Sequence, residues 1–362
     1  MAFYPQVPAI SLELINRCNL KCPYCANGTL SRPRGSISWS LLEKLVCECS
    51  GGRHDLAWLH GTGEPLLWSQ LENAIVLIKS MKAGEASFAT NATLLSPERT
   101  KSLLNAGLTS IYVSIDTLDP VLYQRTRGGD LNKVIANVQS LIALVPPEFR
   151  ITIALMNHKD QRLTAHSIWQ FYKTFGFHSN IQLNQIENTL FPSAPADYRT
   201  HPGKSASCSL PRNYMTIAYD GRVALCCVDQ DVLNPIGDVS RQTIEEVWFD
   251  PIVQNTFWRI ASGAPNCPAL CTSTCMLATN PASAHPGSAH PADLQSPTGA
   301  AAFDDLFTLA QELFDGGRVA DALAVAQSLV FRNPARRDVC HFIDGASEIL
   351  RRYEDEQNRH QV

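Results

Sequence analysis

Apolar and polar positions follow two periods along the first half of the chain. Short β-branched or apolar runs at 9–14, 56–60, 86–90, 110–115, 150–155 and 180–185 read as strands. Between them, 39–49, 70–81, 97–106, 131–144 and 163–175 repeat apolar residues near i, i+3 and i+4, the helical period. Strand and helix in alternation predict βα units around a mostly parallel sheet. In such sheets the chemistry sits in loops at the carboxyl ends of the strands.

The texture changes after residue 190. Residues 191–280 hold few long helices and six cysteines, with a predicted hairpin of 214–219 and 222–226 around Asp220-Gly221. Two short helical stretches, 243–249 and 251–260, follow. Residues 281–301 are rich in Pro, Ala, Ser, His and Gly without periodicity, the composition of a flexible linker. Amphipathic helices are then expected at 303–315, 319–331 and 337–353. This gives four parts: a core at 1–190, a small region at 191–280, the linker, and a helical appendage at 302–362.

Composition narrows the classes. The 362 residues carry 34 Asp and Glu against 30 Lys and Arg, so no global positive field exists for nucleic acid. The opening residues lack a basic segment followed by an apolar run, and no stretch approaches 18 uninterrupted apolar residues. A cytoplasmic protein with no membrane span is therefore expected. Twelve cysteines in a reducing compartment point to metal or redox work rather than disulfides.

Three of them stand as C-x3-C-x2-C in Arg17-Cys18-Asn19-Leu20-Lys21-Cys22-Pro23-Tyr24-Cys25, just after the first expected strand. Thiolates so closely spaced suit zinc or iron–sulfur. A closed zinc site wants four ligands, and three leave a position open for chemistry.

This motif, with an aromatic residue before its last Cys, resembles the radical S-adenosylmethionine superfamily. The resemblance covers about residues 9–190 and implies a partial (β/α)6 TIM-type barrel within an α/β fold. It also implies that Cys18, Cys22 and Cys25 hold a [4Fe-4S] cluster whose fourth iron is chelated by S-adenosylmethionine, with Tyr24 beside the ligand. His60-Gly61-Thr62-Gly63-Glu64-Pro65 looks like the family's GGEP motif, with Thr62 where a Gly is usual; Gly63 and Glu64 would then meet the ligand's ammonium. Thr90-Asn91-Ala92-Thr93 is similar to a TNG segment, with Ala92 replacing Gly. Val113-Ser114-Ile115-Asp116 resembles an SxD segment near the ribose, where Ser114 and Asp116 offer acceptors to a diol. Arg127 matches an arginine aimed at the ligand carboxylate, though Arg125 and Arg127 could instead be exposed helix-end cations. Leu155 or Met156 is expected near the adenine.

Cys208, Gly221 and Cys226 follow C-x(9–15)-G-x4-C, which opens the auxiliary-cluster domain of the SPASM and twitch subfamilies. By that resemblance, two of Cys267, Cys271 and Cys275 complete one auxiliary [4Fe-4S] site, with Cys267 and Cys271 preferred. Cys275 and Cys227 are left to ligate, pack or deliver a hydrogen atom. Cys227 adjoins Cys226 on an expected strand, where neighbours point to opposite faces. Cys47, Cys49 and Cys340 read as packing residues on helices. The appendage resembles about one tetratricopeptide repeat, which must dock on the body or on a protein partner.

The family's chemistry implies an electron from a flavodoxin- or ferredoxin-type donor, a 5′-deoxyadenosyl radical, and hydrogen abstraction from a small polar sugar- or cyclitol-type natural product or a peptide. Oxidation assisted by the auxiliary cluster, epimerisation with a thiol hydrogen donor, and peptide cross-linking are the expected outcomes. Only 17 residues precede Cys18, which tilts against a folded leader-peptide-binding domain. An iron–sulfur electron carrier without radical chemistry is the alternative of a different class; the Gly61–Pro65 and Ser114–Asp116 segments, with no use in such a carrier, argue against it.

Overall fold

The first strand, β1 (Ala9–Leu12), alternates half-buried Ala9 and Ser11 with fully buried Ile10 and Leu12. The same alternation recurs in β2 (Phe88–Thr90), β3 (Ser110–Asp116) and the first half of β4 (Arg150–Met156). These are the strands of a computed structural model that describes residues 4–156, 165–176, 180–186, 210–262 and 307–313, with residues 315, 322 and 326. Cys208, Cys267, Cys271, Cys275, Cys340, the linker and most of the appendage lie outside the described residues. Those described fall in two compact units, one of residues 1–162 with 182–288 and one of residues 163–181 with 289–362.

In the first unit, β2, β3 and β4 pair in parallel and β5 (Ile181–Ile186) lies beside β4. The expected strand at 56–60 is present only as parallel bridges of Trp58 to Ser11 and to Ser87, yet it joins β1 to β2. Leu12 N–H donates to Trp58 O at 2.8 Å and Leu59 N–H to Ser87 O at 2.7 Å. The result is the expected partial (β/α)6 barrel.

Helices α1 (Trp39–Cys49), α2 (Leu71–Ser80), α3 (Pro97–Asn105) and α5 (Leu131–Leu144) supply its outer layer. Each buries one stripe, such as Leu42, Leu45 and Val46 in α1 and Val134, Val138 and Leu141 in α5. Each such side chain contributes about 1.5–3 kcal/mol by leaving water. Ser38, Ser96 and Asp130 cap α1, α3 and α5 by accepting backbone N–H bonds. The helix α4 (Pro120–Thr126) was not expected from periodicity, although Asp119 as N-cap and Pro120 at its first turn announce it.

Further along the chain, α7 (Leu210–Asn213) leads into β6 (Tyr214–Ile217), which pairs in parallel with β1 from Ala9↔Tyr214 to Leu12↔Ile217. The small region thus extends the barrel sheet at its free edge. β6 and β7 (Arg222–Ala224) form the expected hairpin, and Gly221 takes φ +92° in its turn. β8 (Pro235–Asp238), α8 (Ile244–Trp248) and α9 (Pro251–Ser262) follow. In the second unit α6 (Ala165–Phe175) and residues 307–313 are helical.

Candidate functional site

The cysteine loop begins four residues past β1 and folds on its own sulfurs. Leu20 N–H donates to Cys18 Sγ and Asn27 N–H to Cys25 Sγ, both at 3.4 Å. Cys25 also caps the short turn Ala26–Thr29. Burial pushes the Cys22 thiol up to about 11 and raises Cys18 and Cys25; for Cys22, the other two thiols add to the shift. Three buried thiolates would repel one another here without a cation, and a bound iron deprotonates its thiol ligands outright. Among the described residues no three His, Cys, Asp or Glu side chains close on a single ion. Three thiolates with one position left open suit a cubane, which takes each thiolate on a different iron. The donor set fits a [4Fe-4S] cluster.

The next strand end is packed against this loop. A Cβ on Gly63 would meet Ile15 O at 2.0 Å, so only glycine lets the two loops approach. Glu64 is 2% exposed, and burial raises its carboxyl's pKa. Its Oε1 accepts from Thr90 Oγ1 at 2.7 Å and Leu66 N at 3.2 Å, and its Oε2 from Asn91 N at 2.8 Å. With about four acceptor positions on a carboxylate, one on Oε2 is left for a ligand ammonium. Asn91 Nδ2 donates to Asn19 Oδ1 at 3.0 Å and lies 3.8 Å from Cys18 Sγ. Ala92 sits at φ +57°, which explains why glycine is usual there.

Asp116 ends β3 at a bulge with φ +70°. Arg127 grips it with Nε at 2.7 Å and Nη2 at 2.6 Å, and the Tyr24 hydroxyl donates to the same carboxylate. The two side chains are 9% and 4% exposed, so Arg127 is not a solvated helix-end cation. Its guanidinium lies 5.8 Å from the Tyr24 ring and lowers the cost of charge on all three loop thiols. Tyr24 packs on Met156 at the end of β4, and Cys22 and Cys25 pack against both. Cys18, Cys22, Cys25, Tyr24, Gly63, Glu64, Asn91, Asp116 and Arg127 are thus brought together at the strand ends. Ser114 lies half-buried on β3, two residues before Asp116.

Sequence reasoning missed a second buried network. Arg32 Nη1 and Nη2 reach Glu13 Oε2 and Oε1 at 2.6 Å, with both side chains 4% exposed. Thr62 Oγ1 donates to Glu13 Oε1 at 2.7 Å and accepts from Arg32 Nη2 at 3.2 Å. Arg32 also donates from Nε to Gln230 O at 2.7 Å, and Tyr219 N–H donates to Glu13 Oε2 at 3.3 Å. The threonine that departs from GGEP therefore serves the acid inside β1's continuation; the one signal was a lone Glu in the run Ile-Ser-Leu-Glu-Leu-Ile. Thr62→Gly, although it restores the family residue, is expected to lower stability by about 1–3 kcal/mol, read as a lower urea midpoint.

The hairpin places Cys226 and Cys227 differently from expectation. β7 ends at Ala224 after an irregular step in its pairing with β8, so the two thiols lie in a turn and not on a strand. Strand alternation therefore does not separate them. Asp229 N–H closes that turn onto Cys226 O at 3.1 Å. Cys226 is buried and Cys227 half-buried. On α1, Cys49 is buried as expected, whereas Cys47 is exposed rather than packed.

The Radical SAM superfamily matches residues 12–165, and an iron–sulfur cluster-binding domain, SPASM, matches residues 208–276. A protein named probable GTP 3′,8-cyclase from Methanosarcina acetivorans is 29% identical over 194 residues, covering 51% of this chain and 56% of its own length. The chain spans about half the length of the curated relatives it matches. Streptococcus suis SuiB bound to S-adenosylmethionine aligns at 15% identity and TM-score 0.54, covering 76% of this chain and 72% of SuiB. The structure of anSMEcpe with bound AdoMet aligns at 16% identity and TM-score 0.51, covering 90% and 99%. These structural likenesses bear on the fold.

Proposed function

We propose that this chain, a radical S-adenosylmethionine enzyme with a SPASM domain and two [4Fe-4S] clusters, oxidises a C–H centre of a small polar molecule of the sugar or cyclitol type, or of a peptide. Cys18, Cys22 and Cys25 would hold the radical cluster. Cys208 and Cys226, with two of Cys267, Cys271 and Cys275, would hold the auxiliary one. When bound, these groups and S-adenosylmethionine supply a 5′-deoxyadenosyl radical and an electron acceptor. Residues 1–190 form the core in this reading and 191–280 the auxiliary domain.

The chain's own residues position the reaction. Glu64 takes the ligand ammonium on its remaining acceptor position and ties the second and third strand ends together through Thr90 and Asn91. Ser114, half-buried on β3 two residues before Asp116, would offer its hydroxyl to the ribose. Arg127 and Asp116 hold Tyr24 and a positive charge beside the cluster loop, which keeps three thiolates tolerable in a buried place.

The observation that carries oxidation is the pairing of β6 with β1. It sets the Cys226 hairpin in the same sheet as the strand that feeds the cysteine loop, and Glu13–Arg32 locks the two segments across it. Two ligand-bearing segments in one rigid sheet suit electron transfer from substrate to the auxiliary site. A second reading, epimerisation, rests on half-buried Cys227 as a hydrogen donor beside Cys226, or on Cys275. Turnover in deuterium oxide separates them. The proposal predicts a product two hydrogens lighter with no solvent deuterium at carbon. A product of unchanged hydrogen count carrying one deuterium at an inverted carbon would overturn it.

A further inference from the structure

The barrel sheet has two unlike faces. Ile10, Leu12, Phe88, Ile111, Val113 and Ile153 turn one way and are 2% exposed or less. Their neighbours turn the other way. Ser11 pairs in register with Trp58, Ala89 with Tyr112 and Tyr112 with Thr152, so these side chains share a face. His60 and Ser114 continue it toward the strand-end site, and every one of these residues is only half-buried. Asn184 belongs to the same face, because its Nδ2 reaches over β4 to the Tyr112 hydroxyl at 2.8 Å.

Two groups on this face are left unsatisfied among the described residues, Thr216 Oγ1 level with Ser11 and, nearer the strand-end site, His60. Its Nδ1 is sealed from solvent with no hydrogen-bond partner, and its ring stands edge-on to Trp58 at 5.2 Å. Burial holds the imidazole down to about 4, so it is neutral near pH 7. A proton on Nδ1 would be an unpaired buried donor, so the proton sits on Nε2. Tyr112, pushed up to about 12 by burial, keeps its hydroxyl proton while accepting from Asn184. Charges beside this face are already committed. Arg150 at the amino-terminal rim pairs with Glu85 at 2.9 Å, and Glu13 with Arg32 at 2.6 Å.

We infer that this face is the substrate subsite and that it takes a neutral polyhydroxylated ring. His60 and Tyr112 donate to ring hydroxyls, Asn184 and Thr152 accept from them, and Trp58 covers the ring's C–H face. A triphosphate or carboxylate would meet no uncommitted cation among the described residues of the face. An extended peptide would find no open ladder edge, since the strands here are hydrogen-bonded on both sides from β1 to β4. The inference rests on the radical-enzyme reading for what happens to the ring once bound.

The test is a saturation-transfer NMR titration of the reconstituted enzyme with S-adenosylmethionine present. The probes are myo-inositol, N-acetylglucosamine, GTP and a neutral Gly-Ser decapeptide. At least one polyol is expected to bind, and His60→Ala and Asn184→Ala each to weaken it about tenfold. Tyr112→Phe keeps the ring and the packing, and is expected to weaken the same probe several-fold. Binding of GTP or the peptide with neither polyol bound up to about 10 mM overturns the inference. So does polyol binding that none of the three substitutions alters. Polyol binding with the expected losses, in an enzyme that never forms 5′-deoxyadenosine, sinks the radical reading and leaves the subsite standing.

Discussion

Cys22→Ala is expected to abolish 5′-deoxyadenosine formation with dithionite and S-adenosylmethionine, down to the background of the reagents alone. The loop offers three sulfurs, and its backbone is already folded onto two of them through Leu20 N–H and Asn27 N–H. Cys22 is the third, packed on Tyr24 and Met156, and it carries the largest upward shift of the three. Alanine there leaves two thiolates for a group that needs three. The loop itself should survive, because Cys25 N–H to Cys22 O at 3.1 Å is a backbone bond. Cys47→Ser, on the exposed side of α1, is the matched control and should leave 5′-deoxyadenosine formation intact. Formation by Cys22→Ala at the rate of that control would show that the loop does not hold the radical cluster.

Arg127→Met should be the most destabilising single change at the site. It removes both guanidinium bonds to Asp116 and, of the three bonds to this buried carboxylate, leaves the one from the Tyr24 hydroxyl. Breaking a buried pair from one side costs about 3–5 kcal/mol, most of it the penalty of the stranded charge. Asp116→Asn strands the cation instead. The double variant strands neither, so it should be less destabilised than the sum of the singles by about 1–3 kcal/mol. Urea unfolding of all four proteins measures this. Purely additive losses would mean that the two residues do not act as one unit. The same substitution takes the positive charge from beside the cysteine loop, so cluster retention should fall together with stability.

The parts legible in the sequence were those written in local pattern. Alternating apolar runs located the barrel strands, and the cysteine spacing located the loop that the geometry fits to a cluster. The stretch 56–60 lies between β1 and β2 as its apolar run predicts, but its regular bridges are confined to Trp58, with further backbone bonds at Leu56, Ala57 and Leu59. Asp119-Pro120 marked a helix too short for periodicity to reveal. Contacts between distant segments were not legible. Arg32 lies 19 positions from Glu13 and 198 from Gln230, and nothing local says that they meet. The expected roles of Asp116 and Arg127 as separate ligand contacts gave no hint that they grip each other. The Cys226–Cys227 pair was misplaced on a strand because Val223-Ala224-Leu225 continues the apolar run past the point where pairing ends.

The central claim, two thiolate-held clusters in one chain, is most directly tested by iron and acid-labile sulfide content after anaerobic reconstitution. The account predicts about eight irons and eight sulfides per chain for the wild type, and about four of each for Cys226→Ala. A wild-type content near four, or one unchanged by Cys226→Ala, would contradict it.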